Sequence, residues 1–142
     1  KEGDVGLKTV FREINVSTKK RTSLIDITGD VEGIVEISEI GQGFCLVQSL
    51  HSTTAIVVNE HEGGLMEDIV RKVQKEFPKG MGWLHDRVDD NADAHLASTF
   101  LGSSKVFAVK DGRILRGTWQ NIFLLEFDGP RSRNVIVEVL GE

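Results

Sequence analysis

Four histidines, His51, His61, His85 and His95, fall within one stretch of this 142-residue chain. Neutral imidazole is a ligand for zinc and its neighbours in the first transition row. His51 follows a run of strand character, His85 lies in a polar connection, and His95 falls on the second turn of an expected helix. There Ala92, Leu96 and Thr99 are its neighbours, so His95 borders the helix's buried face. One ring from a strand, one from a loop and one from a helix can converge on a metal. Acidic side chains between Asp86 and Asp93 are placed to orient the rings or to supply a fourth ligand. The same residues also read simply as polar side chains in turns and at a helix start.

Other clusters carry chemistry of their own. Ser52-Thr53-Thr54 offers three hydroxyls beside His51, able to bind phosphate oxygens, although threonine is also an ordinary strand former. Gly117-Thr118-Trp119-Gln120 presents an indole that can wall a ligand ring or fill a corner of the core. Arg116, Arg131 and Arg133 suit bidentate contact with an anion, and each singly suits a surface position. Cys45 reads as a small apolar strand residue. Named motifs fail. His61-Glu62-Gly63-Gly64-Leu65 starts like a zinc-protease helix but has leucine where the second histidine belongs. Asp89-Asp90-Asn91-Ala92-Asp93 starts like a calcium loop but lacks the glycine at Ala94 and the glutamate at Phe100. The chain has no P-loop, no G-x-G-x-x-G and no paired cysteines for a deaminase zinc site.

The elements that must hold these residues follow from periodicity. Strand character runs over 6–16 and near 24–28, and 30–40 reads as a short helix weakened by Gly33. Two buried strands, 43–50 and 54–59, together make about twice a usual strand length, so a bend or bulge is expected near His51. The stretch 65–77 is the clearest helix, with an apolar stripe from Leu65 to Phe77 and Glu67–Arg71 and Asp68–Lys72 pairs outside. A second clear helix is expected from Asn91 to about Leu101, with Asp90 as its cap. Strands return at 105–109, 114–115, 121–127 and 134–140, with a turn at Asp111-Gly112. Strands, helices, then strands predict an α+β domain rather than a regular βαβ alternation.

Composition bounds the function. A chain of this length, 39% hydrophobic and 27% charged, suits one domain over residues 1–142. The net charge of −5 argues against a general nucleic-acid binder. Its apolar runs are too short for a transmembrane helix, and one cysteine permits no intrachain disulfide. No signal-peptide pattern opens the chain, so a cytoplasmic location is the default expectation.

Several clusters taken together resemble the YjbQ-like family, often labelled secondary thiamine-phosphate synthase. They are His51-Ser52-Thr53-Thr54-Ala55 with Asn59-Glu60, then His85 with Asp90 and Ala94-His95, then Leu101-Gly102 with Ser104. Asp111-Gly112-Arg113, Gly117-Thr118-Trp119-Gln120 and Glu126-Phe127-Asp128-Gly129-Pro130-Arg131 follow in the family's order. The resemblance implies β-sheets packed as a sandwich with two or three flanking helices, and a homotrimer. It implies a divalent metal, zinc or else magnesium, at His51, His85 and His95, with Asn59, Glu60 and Asp90 as further polar site positions. His61 does not match the family and is left out of the ligand set.

The implied activity is a transferase reaction that joins a hydroxymethylpyrimidine diphosphate to a thiazole phosphate. Such chemistry needs a cation and hydrogen-bond donors for the leaving group and a slot for two rings. In that assignment Ser52, Thr53, Thr54 and Arg131 bind diphosphate, Trp119 and Gln120 flank the rings, and Glu60 and Asp90 orient imidazoles or move protons. Two other functions are compatible with the residues. One is a metal-dependent hydrolase of a phosphate or acyl substrate, with Glu60 as base. The other is a non-catalytic trimer that binds a metal or ligand.

Overall fold

The structure is a computed structural model and describes residues 6–142. Its strands are β1 (Lys8–Ser17), β2 (Ser23–Asp26), β3 (Gly43–Ser49), β4 (Thr54–Asn59), β5 (Ser104–Lys110), β6 (Arg113–Ile114), β7 (Asn121–Glu126) and β8 (Ser132–Gly141). The helices are α1 (Thr28–Ser38), α2 (Gly63–Glu76) and α3 (Ala92–Leu101), with a 3-10 turn at Leu84–Arg87. All strand pairs are antiparallel. A five-stranded sheet has the order β1-β8-β3-β5-β6 and a three-stranded sheet the order β2-β7-β4. This is the α+β architecture expected from the sequence, with three helices.

Three layers result. One core lies between the sheets, built from Cys45 and Val47 of β3, Val135, Val137 and Val139 of β8, and Ile122 and Leu124 of β7. Helix α1 closes it with Val31 and Val35, both fully buried. The second core lies on the other face of the small sheet, where Ala55 and Leu125 meet Ala94 and Ala97 of α3. Ile69 and Val73 of α2, with Phe77 just after it, pack against it. Strand β7 therefore serves both cores, which is why Ile122 through Glu126 are all buried. A strand covered on both faces reads as a continuous apolar run.

The expected irregularity at His51 is a change of sheet. Strand β3 belongs to the large sheet and β4 to the small one, and residues 50–53 carry the chain between them. Ser49 and Thr54 hydroxyls, 2.5 Å apart, clamp the two ends of this bend, and the Ser49 hydroxyl accepts from the His51 amide at 3.3 Å. Where β3 begins, Gly43 lies opposite Gly141 of β8. A Cβ at Gly43 would collide with the Leu140 carbonyl oxygen, so this crossing needs two residues without side chains.

Both strong helices form, with their ends adjusted by local hydrogen bonds. Glu62 caps α2, its carboxylate accepting from the Gly64 and Leu65 amides at 2.8 Å. The Glu62 carboxylate is thereby spent on the helix start. On the outer face Glu67 and Arg71 approach to 3.9 Å, while Lys72 pairs with Glu76 at 2.7 Å rather than with Asp68. Helix α3 begins one residue later than expected, and Asp90 does not cap it. Asp90 takes a left-handed conformation, φ 56°, and the Ala92 amide donates instead to Asp86 of the 3-10 turn at 2.9 Å. Among the described residues no helix is long and apolar enough to cross a membrane.

Candidate functional site

An open cavity of about 640 Å³ lies where the two sheets part. Three stretches of chain line it. The sheet-changing bend gives His51, Ser52 and Thr53, the start of α3 gives Asn91 and His95, and the β7–β8 connection gives Asp128, Arg131 and Ser132. Each is placed by a feature the core dictates: the bend by the two-sheet division, α3 by its alanine face, and the connection by the buried end of β7.

The cavity's floor is ionic. Arg133, 3% exposed, donates to both carboxylate oxygens of the fully buried Glu126, from Nε at 2.8 Å and from NH2 at 2.5 Å. The same NH2 reaches the Thr53 hydroxyl at 2.8 Å. Thr18 and the Asp128 amide each donate to Glu126 at 2.9 Å. Burial alone pushes the Glu126 carboxyl up, but these donors outweigh it and hold the group below its ordinary value. Arg133 is thus committed to Glu126 and Thr53, and the arginine facing solvent is Arg131, its side chain 55% exposed. Arg131 is steadied by Asp128, whose carbonyl and carboxylate accept at 2.8 and 3.1 Å.

His51 is tied at one nitrogen. Its Nε2 accepts from the Asn134 amide at 2.9 Å, so the neutral ring carries its proton on Nδ1. Burial and then the Arg133 guanidinium lower its pKa, and Glu126 opposes them only partly. The lowered pKa and the acceptor role of Nε2 both favour the neutral ring. His95 sits against His85, the ring centroids 4.5 Å apart and the planes at 75°. Two imidazoles on one tetrahedral ion have centroids about 5 Å apart, given a metal–nitrogen distance near 2 Å. The His85–His95 spacing is somewhat shorter than that, and their edge-to-face contact makes the two rings neighbours. His51 does not complete a ligand set with them, because its acceptor nitrogen is already used. No group of three histidine, cysteine, aspartate or glutamate side chains among the described residues forms a metal-binding cluster.

One atom in the wall lacks a partner. Asn91 is 7% exposed, and its Nδ2 donates to Asp128 at 2.8 Å, but its buried Oδ1 has no hydrogen bond. A buried acceptor without a donor costs free energy of order 1–3 kcal/mol unless a bound group supplies one.

The remaining sequence candidates fall elsewhere. Thr54 is turned into the core by its bond to Ser49. Asn59 ends β4 and Glu60 follows it, about 17 Å along the strand from Thr54. Trp119, 68% exposed, and Gln120 lie beyond the matching end of β7, where the Gln120 side chain accepts from the Gly117 amide at 2.8 Å. Arg116 is bound to Glu32 at 3.0 Å. Asp90 is exposed and pairs with Lys79 at 3.3 Å. His61 is also outside the cavity, its Nδ1 2.5 Å from Asp26. Cys45 is buried, which pushes its thiol up to about 11. Conversely, Asn91, Asp128 and Ser132 line the cavity without having been singled out as site residues. Only the position of Asn91 between the acidic residues and the helix hinted at its place.

The family model described as UPF0047 protein YjbQ-like matches residues 12–142. A UPF0047 protein of Archaeoglobus fulgidus is 52% identical over 90% of this chain and 99% of its own length. The Bacillus subtilis UPF0047 protein YugU is 32% identical, over 93% of this chain and all of its own. Among solved structures, a protein of unknown function from Sulfolobus solfataricus superposes with a TM-score of 0.95 at 54% identity, covering 96% of this chain and 100% of that one. A hypothetical protein from Aeropyrum pernix superposes with a TM-score of 0.91 at 41% identity, covering 94% and 99%.

Proposed function

The chain belongs to the UPF0047 YjbQ-like family, and on that footing we propose that its cavity binds a small phosphorylated molecule and carries out a transfer of thiamine-phosphate synthase type. The observation that supports this reading is that His51, His95, Arg131 and two serines line one cavity, and that Asn91 in the same wall has a buried Oδ1 with no protein partner. In the reaction the bond between the pyrimidine methylene carbon and the diphosphate oxygen breaks. The thiazole nitrogen forms the new bond to that carbon, and diphosphate leaves with the electron pair.

The residues divide the work. The Arg131 guanidinium meets phosphate oxygens with a planar pair of donors. Ser52 and Ser132 add hydroxyl donors, and the neutral His51 ring contributes a donor that carries no charge of its own. Of the divalent ions, zinc suits the imidazoles of His85 and His95, whereas magnesium takes oxygen ligands; a zinc ion held there would withdraw charge from the leaving diphosphate. His51 joins those ligands only if its ring releases the Asn134 amide. The Asp128 carboxylate and the net charge of −5 oppose a dianionic ligand, so we expect low efficiency. Glu60 and Asp90 carry no step in this cavity.

The test supplies both thiamine precursors and follows thiamine phosphate with wild type, His95→Ala and chelated protein. Product is expected from the wild type, reduced about 100-fold in the other two, the scale of losing a metal ligand's contribution. Equal product in all three, or none in any, overturns this reading. Hydrolysis of a phosphate ester by the metal-loaded wild type alone assigns the cavity to a hydrolase instead.

We propose also that the chain assembles as a homotrimer through the outer face of its five-stranded sheet. There Phe44 and Leu140 stand side by side, 59% and 38% exposed, and in the next row Phe11 and Val106 flank Glu138 and Leu46. Such an apolar face on a sheet is a typical association surface. Light scattering should give three times the 15.7 kDa chain mass, and Phe44→Asp should give a monomer. A monomeric wild type rejects the assembly.

A further inference from the structure

A second cleft, about 510 Å³ in volume, adjoins the cavity and shares Leu50, His51 and Ser52 with it. The two differ in charge. The first contains Arg131 and Asp128, whereas the second is walled by Gln48, Ser98, Thr99 and Ser103 and contains no charged side chain. Hydroxyls and the glutamine amide both donate and accept hydrogen bonds. The Thr99 hydroxyl spends its proton on the His95 carbonyl at 2.8 Å and keeps its lone pairs.

We propose that this neutral cleft is a second subsite, continuous with the first across His51, that takes an uncharged nitrogen-bearing ring. This deepens the function proposed above and rests on it. The charge difference fixes the ligand's direction. A phosphoryl group placed among Ser98, Thr99 and Ser103 loses hydration with no counter-charge to replace it. An uncharged heterocycle exchanges its water contacts there for hydroxyl contacts at little cost. The phosphate end therefore lies by Arg131 and the ring end by the serines. His51, common to both clefts, then stands at the bond joining the two parts of the ligand, which is the bond that a transfer breaks.

Calorimetry with two probes tests this: inorganic diphosphate, and the diphosphate ester of hydroxymethyl-aminopyrimidine. Wild type is expected to bind the ester at least tenfold more tightly than inorganic diphosphate. Thr99→Trp fills the cleft from the exposed side of α3, and Ser103→Trp fills it from the connection that follows. Both positions are exposed, so both variants should keep the wild-type melting temperature. Each should bring the ester's Kd to that of diphosphate, with the Kd for diphosphate changed less than twofold. If wild type binds diphosphate but gains nothing from the ring, or if both variants keep the ester's advantage, the subsite is wrong and the charged cavity stands. If both variants weaken the two probes equally, the subsite is likewise rejected. If wild type binds neither probe, the parent function fails.

Discussion

Arg133→Met should lower the free energy of unfolding by about 3–5 kcal/mol, the cost of leaving a buried charge without its partner. Glu126 is fully buried between the sheets, and after the change it keeps only the Thr18 hydroxyl and the Asp128 amide as donors. Replacing both members, Arg133→Met with Glu126→Leu, should restore most of the loss, because two apolar side chains need no ionic partner there. Urea titration of the two single variants and the double variant checks this. A loss below about 1 kcal/mol for Arg133→Met rejects the account. The pair also predicts a pH dependence. Because the Glu126 carboxyl is held below its ordinary value, its contribution is present above the ordinary carboxylate range. That contribution is lost as pH falls through the lowered value. Removing Arg133 removes the main attraction, so acid unfolding should begin at a higher pH in the variant.

Leu124→Ala and Leu125→Ala should each cost about 2–5 kcal/mol, although the two residues are adjacent and face opposite ways. Leu124 fills the core between the sheets, and Leu125 fills the one between the small sheet and α3; neither has any exposed surface. In an ordinary strand with one wet face, one of two consecutive substitutions is cheap. Here both create cavities, and their effects should be close to additive, since the voids open into different cores. Thermal and urea unfolding of the two single variants and the double variant measure this. A cost under about 1 kcal/mol for either would mean that β7 is not covered on that side.

The legible parts of the fold were those set by local periodicity. Helices α2 and α3 show as stripes at helical spacing, and β7 as an unbroken apolar run. The break at His51 was visible as a strand too long to be one strand, but that its two halves belong to different sheets depends on pairing with β8 and β7, which no local pattern encodes. The site divides in the same way. His51, Ser52, Thr53, His95 and Arg131 stood out by residue type and do share one cavity. Asn91 and Asp128 did not stand out, because their importance comes from a mutual hydrogen bond across 37 residues. Asp90, one place earlier, looked the better candidate as a charged cap, yet the left-handed turn points the chain so that Asp86 takes the helix amide. Asn59, Glu60, Trp119 and Gln120 were grouped with the histidines by resemblance, while strand length sets them at the opposite end of the small sheet.

Strand β8 pairs with β1 on one side and β3 on the other, so the eighth strand in chain order is interior to the large sheet. During synthesis β1 and β3 leave the ribosome with no neighbour between them. Ser17 waits for Ser132, and the register closes only when Lys8 meets Gly141. At about 5–20 residues per second that wait lasts several seconds to some tens of seconds. The small sheet fares no better, since β7 must arrive before β2 and β4 are joined. Most of the sheet pairing therefore waits for β7 and β8, while β3 pairs earlier only with β5, and nascent chains carry open strand edges that invite chaperone binding. A stop codon before residue 132 would leave β1 and β3 with no strand to bridge them, and the product should appear as aggregate or as a protease substrate rather than as a shortened fold.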